Sequence, residues 1–188
     1  MRRTTPVAIA VLFCAVLIHL RAAPITVTNT NDSGPGSLRQ ALIDANDGDT
    51  INFAVTGTIG LTSGELLVNK NVTITGPGNA TLAMDGNFTS RVFHIGSGKT
   101  VSMSGLTLAN GSAGFENGGG ILNDHAMLTI DNCAVQNSSA QSGYGGGIYN
   151  DGFEGNAALT VLNSTVRLNH AAYAGGGIYN DPGVAPRQ

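Results

Sequence analysis

Gly118-Gly119-Gly120-Ile121-Leu122-Asn123-Asp124 returns as Gly145-Gly146-Gly147-Ile148-Tyr149-Asn150-Asp151 and again as Gly175-Gly176-Gly177-Ile178-Tyr179-Asn180-Asp181. The spacings, 27 and 30 residues, lie in the range of solenoid repeats. The stretches between the blocks repeat as well. Leu128-Thr129-Ile130-Asp131-Asn132 matches Leu159-Thr160-Val161-Leu162-Asn163, Val101 to Gly105 fits the same slot, and Val72 to Gly76 fits it more loosely. Each segment is short, alternates apolar with polar residues and stops at Asn, Gly or Asp, which is the pattern of a half-buried strand. A helical solenoid would need apolar spacings of three and four over ten or more residues, and nothing after residue 50 offers them.

Three short strands per turn imply an all-β, single-stranded parallel β-helix, each turn lying about 4.8 Å above the last. It is expected to be right-handed, as parallel crossovers are. Five coils are counted, beginning near Thr50, Asn71, Lys99, Ala126 and Ala158. The insert from Gly152 to Asn156 lengthens the second period and is expected to bulge from a corner. Equivalent side chains then form columns: Ile121, Ile148 and Ile178 as an inward aliphatic ladder, and Asn123, Asn150 and Asn180 as an amide ladder at a corner. The glycine triplets supply positive φ and close approach between coils.

Residues 24–49 read as a cap before the coils of 50–188. Ser37 and Gln40 have the spacing of a helix N-cap and its third residue, and Leu38, Ala41, Leu42 and Ala45 make one apolar helical face. Residues 1–23 read as a secretory signal. Arg2 and Arg3 precede an apolar run from Val7 to Leu20 that is short for a bilayer span. With the signal removed, Cys133 is the one remaining cysteine, so no internal disulfide forms; it reads as a small buried apolar residue.

The segment from Val27 to Asn46, centred on Gly36-Ser37-Leu38-Arg39-Gln40-Ala41, resembles the CSLREA motif that precedes β-helix repeats in bacterial secreted and surface proteins. Gly36 stands where that motif has Cys, and Gln40 where it has Glu. The Gly-Gly-Gly-Ile-Tyr-Asn repeats resemble right-handed β-helix repeats of the pectate-lyase-like superfamily. They are more loosely similar to polymorphic outer-membrane-protein repeats, with Val166-Xaa-Xaa-Asn169 in place of Phe-Xaa-Xaa-Asn. The resemblance implies the architecture and leaves the activity open, because this fold carries lyases, hydrolases, adhesins and stalks.

Composition excludes several functions. Charged residues are 11% and the net charge is −3, which argues against a nucleic-acid arm or a coiled coil. Lyases on this fold use an Arg or Lys base beside acidic groups that hold Ca²⁺. Here Arg39, Arg91, Arg167, Arg187, Lys70 and Lys99 are scattered without an Arg-rich motif. His94 is expected to point outward between inward Phe93 and Ile95, while His125 and His170 fall at turns; no His pair has zinc-ligand spacing. The one repeated chemical feature is the column Asp124, Asp151 and Asp181. It reads first as turn chemistry and, second, as a weak Ca²⁺ or sugar contact. No catalytic constellation and no other cofactor are expected.

The expected protein is therefore a non-catalytic secreted or cell-surface β-helix, an adhesin-like scaffold for extracellular glycans or surface proteins. It has no membrane span after signal cleavage. The alternative is the N-terminal part of a polysaccharide lyase or glycoside hydrolase whose active coils lie beyond residue 188. The chain stops seven residues after the third repeated block, so a C-terminal continuation of the β-helix is expected.

Overall fold

A computed structural model describes residues 24–153 and 155–183. The expected signal segment and the residues after Gly183 lie outside them. Strand β1 (Ile25–Val27) precedes helix α1 (Leu38–Asp44). The first coil is β2 (Thr50–Phe53), β3 (Gly57–Gly60) and β4 (Leu66–Val68), and the second is β5 (Val72–Thr75), β6 (Leu82–Asp85) and β7 (Phe93–Ile95). The third is β8 (Thr100–Ser104), β9 (Thr107–Ala109) and β10 (Ile121–Asp124). The fourth is β11 (Met127–Asp131), β12 (Ala134–Gln136), β13 (Ser139–Ala140) and β14 (Ile148–Asp151). The fifth is β15 (Ala158–Leu162), β16 (Thr165–Arg167), β17 (His170–Ala171) and β18 (Ile178–Asp181).

Every pairing between these strands is parallel, and the sheets are the faces of a β-helix: β1-β2-β5-β8-β11-β15, β3-β6-β9-β12-β16 and β4-β7-β10-β14-β18. Sheet one has six strands, because β1 forms a layer below the first full coil; the solenoid has about six turns where the repeats alone count five. Among the described residues no helix is long and apolar enough to cross a membrane.

The alternation read from the sequence is the burial pattern up to the last coil, where Ile178, expected on the inward ladder, is 39% exposed because no described coil covers it. Leu66, Phe93, Ile121 and Ile148 point inward, with Val72, Ile74, Val101, Met103, Leu128 and Ile130 from the first face and Leu82, Met84, Leu108 and Val135 from the second. Cys133 is fully buried among them, and burial pushes its thiol up in pKa, away from nucleophile chemistry. The glycine triplets divide their work. Gly118, Gly145 and Gly175 have φ between 64° and 72°, while a Cβ on Gly119 would meet the Ser139 carbonyl oxygen at 2.4 Å and the Gly146 oxygen at 2.5 Å.

The cap follows from its sequence. Ser37 accepts a bond from the Gln40 N–H at 3.1 Å and starts α1. The return half of a capping box is not made, because the Gln40 amide donates instead to Asp44. Leu38, Ala41, Leu42 and Ala45 are buried over the first coil. Arg39 donates to the Asp32 carboxylate and to the carbonyls of Gly64 and Glu65, locking the cap to the loop before β4. Gly36 lies at φ 80°, with a notional Cβ 2.3 Å from Thr28 Oγ1, so a larger residue would be strained and would displace the Thr28 and Asn29 side chains.

Candidate functional site

Polar side chains gather along the third face. Its outward column, set by strand register, runs Leu67, His94, Leu122, Tyr149 and Tyr179. One residue pair further along, Asp124, Asp151 and Asp181 stand in register on neighbouring coils.

Arg91, just before β7, is almost wholly buried. Its guanidinium pairs with Glu65 and, at 3.0 Å, with Glu116, and donates to the carbonyls of Gly118 and Asn117. These groups border an open cleft of about 280 Å³ with Ser90, Ser112 and Ala113. Glu65 also accepts from His94 Nδ1 at 3.0 Å. Burial pushes the Glu65 carboxyl up in pKa, but His94 and Arg91 together outweigh it and hold the group below its usual value. A glycosidase pair needs one carboxyl kept protonated as the acid. Here Arg91 bridges both carboxylates and Glu65 is held below its usual pKa, an arrangement that ties neighbouring coils together.

The far side of His94 is different. Nε2 is buried, has no hydrogen-bond partner and stops 3.7 Å from Asp124 Oδ2. The other oxygen of Asp124 contacts His125 Nδ1, and His125 Nε2 contacts the Phe153 carbonyl in the insert of the next coil. Both of those partners are acceptors, so a protonated His125 donates to each. The Asp124 bond, followed by the Phe153 bond, raises the pKa of His125. His94 is raised chiefly by Glu65, against desolvation. Asp124, His125 and Asp151 bring one ligand atom each to within 4.8 Å of one another.

Asp181, the third member of the column, is otherwise engaged: one oxygen accepts from the Tyr149 hydroxyl at 2.9 Å and the other from the Gly183 N–H. Burial, then Asp181 itself, raises the Tyr149 hydroxyl above its ordinary pKa. Asp151 caps its own turn through the Phe153 N–H. Turn chemistry is thus present at Asp151 and Asp181, while Asp124 joins two histidines.

Beside this seam lie all four tyrosines of the chain. The Tyr149 and Tyr179 rings stack at 5.7 Å and 2° between planes, Tyr144 lies 4.6 Å from Tyr179, and Tyr173 lies 5.2 Å from Tyr144. Tyr149 is buried, and Tyr173 is 67% exposed.

The seam joins residues that sequence spacing keeps apart. Glu65, Arg91 and Glu116 carry no repeat signal, and His94 and His125, which lack ligand spacing in the sequence, face Asp124 from two coils. Of the scattered cations, Arg39 and Arg91 are structural clamps, and Arg167 donates to the Gln136 side chain. No family model matches this chain, and no curated protein matches it.

Proposed function

We propose that the protein is a non-catalytic β-helix scaffold, secreted or displayed at a cell surface, that binds extracellular glycans along its third face. The carrying observation is the tyrosine group Tyr144, Tyr149, Tyr173 and Tyr179 beside Asp151 and Asp181. Tyrosine rings offer flat apolar faces for the C–H side of a sugar ring, and neighbouring carboxylates accept from its hydroxyls. The export part of the reading rests on the Arg2-Arg3 start and the Val7–Leu20 apolar run. The CSLREA-like segment and the likeness to pectate-lyase-like and outer-membrane-protein repeats add a bacterial surface setting to the proposal.

The test is glycan-array binding by the wild-type protein beside Tyr173→Ala and Tyr144→Ala. Exposed Tyr173 is expected to carry the larger share, with its loss weakening binding about tenfold or more. Retention of no glycan, or equal binding by all three proteins, refutes this face. The array hits also separate the second reading, the N-terminal part of a lyase or hydrolase. That reading rests on the likeness of the repeats to pectate-lyase-like β-helices, with its active coils beyond residue 188. New reducing ends released from a bound glycan would favour it.

A further inference from the structure

We propose that His94, Asp124, His125 and Asp151 form a divalent transition-metal site of the two-nitrogen, two-oxygen kind that zinc occupies. The argument starts from which ring nitrogens are already committed. His94 Nδ1–H donates to Glu65 Oε1 at 3.0 Å, and His125 Nε2–H donates to the Phe153 carbonyl. A metal-binding histidine is normally held in this way, its second nitrogen donating to a carboxylate or a backbone carbonyl, which fixes ring orientation and tautomer. The remaining nitrogen of each ring faces the same carboxylate, and a metal ion would take the place of the proton that His125 Nδ1 otherwise donates to Asp124. His125 Nδ1 faces Asp124 Oδ1, and His94 Nε2 faces Asp124 Oδ2 at 3.7 Å. At His125 a proton fills that contact, whereas the 3.7 Å gap between His94 Nε2 and Asp124 Oδ2 holds no donor, and a metal ion would answer both.

The spacing suits such a cation. Zinc binds imidazole nitrogen and carboxylate oxygen at about 2.0–2.2 Å, so two ligand atoms on a tetrahedral ion stand about 3.4 Å apart. The His94 Nε2 to Asp124 Oδ2 separation is close to this, and Asp124, His125 and Asp151 offer atoms that all lie within 4.8 Å. The buried, unpartnered His94 Nε2 is the independent sign that the group is incomplete as it stands, since buried polar atoms are ordinarily satisfied. Two imidazoles with two carboxylates suit zinc and its neighbours in the first transition row; calcium prefers six to eight oxygens. The ligands come from three successive coils: His94 on β7, Asp124 and His125 at the end of β10, and Asp151 at the end of β14. A bound ion would therefore be a clasp across the solenoid, and it would stand beside the tyrosines without depending on what they bind.

The test uses untagged protein and zinc chloride alone. Thermal melts and calorimetric titration are expected to give a saturable one-to-one response to zinc, and no response to calcium chloride at the same concentration. Cobalt chloride is expected to produce the visible absorption of a tetrahedral cobalt ion. Asp124→Asn and His94→Gln should each weaken zinc binding about tenfold or more, and His170→Ala should not change it. Circular dichroism checks that each variant is folded; should Asp124→Asn fail to fold, His94→Gln decides alone, because a glutamine can keep a bond to Glu65. No response at a hundredfold excess of zinc overturns the proposal. So does a response that survives His94→Gln, or one that is lost equally in His170→Ala.

Discussion

Asn123 and Asn150 are buried amides in a wall of aliphatic side chains, and their energetics depend on each other. Asn123 Nδ2 donates to Asn150 Oδ1 at 2.6 Å, and Asn150 Nδ2 donates to Asn180 Oδ1 at 2.6 Å. Asn123 also donates to the Ala126 carbonyl, so one side chain serves both the turn and the ladder. The ladder ends below Asn123, whose register partner on β7 is Ile95, and Asn123 Oδ1 is left buried without a donor. Asn150→Ala removes the middle rung and strips a partner from each neighbour. It is expected to cost about 2–4 kcal/mol, more than Asn180→Ala, by urea unfolding. This ladder was legible because the residue recurs at a fixed place in each block. The seam of Glu65, Arg91, His94 and Asp124 was not. Of its members only Asp124 recurs in the repeat; Glu65, Arg91 and His94 have no repeated counterpart, and 26 to 29 residues separate Glu65 from its partners Arg91 and His94. That distance becomes a contact only when the coil closes, and a spacing rule written for one helix or one loop passes over it.

At the scale of an element, the cap shows both what patterning reveals and where it stops. The apolar face and N-cap of α1 were readable because helices announce themselves by period and by capping residues. Strand β1 was hidden: it has three residues, matches no repeat and is a strand only because it pairs with β2. What fastens this element is the charged contact of Arg39 with Asp32. Burial pushes the Asp32 carboxyl up, but bonds from Ser63, Arg39 and Thr62 outweigh it and hold it at about 2. Since the folded value lies below the ordinary 3.8, Asp32 contributes its stability in full above that pH and loses it as the pH falls toward 2. Allowing for solvent screening, the contribution is about 1 kcal/mol. Asp32→Asn should therefore lower the urea midpoint at about pH 5 and leave a smaller difference from wild type near pH 2. Arg39→Ala should speed amide exchange in β1 and α1 while sparing β10 and the coils after it, as expected for a locally opening unit.

At the scale of the molecule, the solenoid is nearly one-dimensional: each coil touches the coil above and the coil below. Stability is then close to a sum over coils and their interfaces, and coils should be removable if the phase of the strands is kept. Asn123 and Asn150 are equivalent positions 27 residues apart. Deleting residues 123–149 joins Leu122 directly to Asn150. Ile121 stays on the aliphatic ladder, Asn150 takes the place of Asn123, and β15 comes to rest above β8. This protein is expected to fold, with the β-sheet circular dichroism of the parent and a urea m-value lower by about a sixth, in proportion to the surface lost. Deleting residues 123–148 removes almost the same surface but joins Leu122 to Tyr149. Alternation then sends the tyrosine inward where the amide belongs and turns Asn150 outward, because a shift of one residue exchanges the two faces of a strand. The second deletion should be markedly less stable than the first, although it retains one more residue. Equal midpoints for the two would mean that total buried area, and not the phase of each strand against its neighbours, sets the stability of this β-helix.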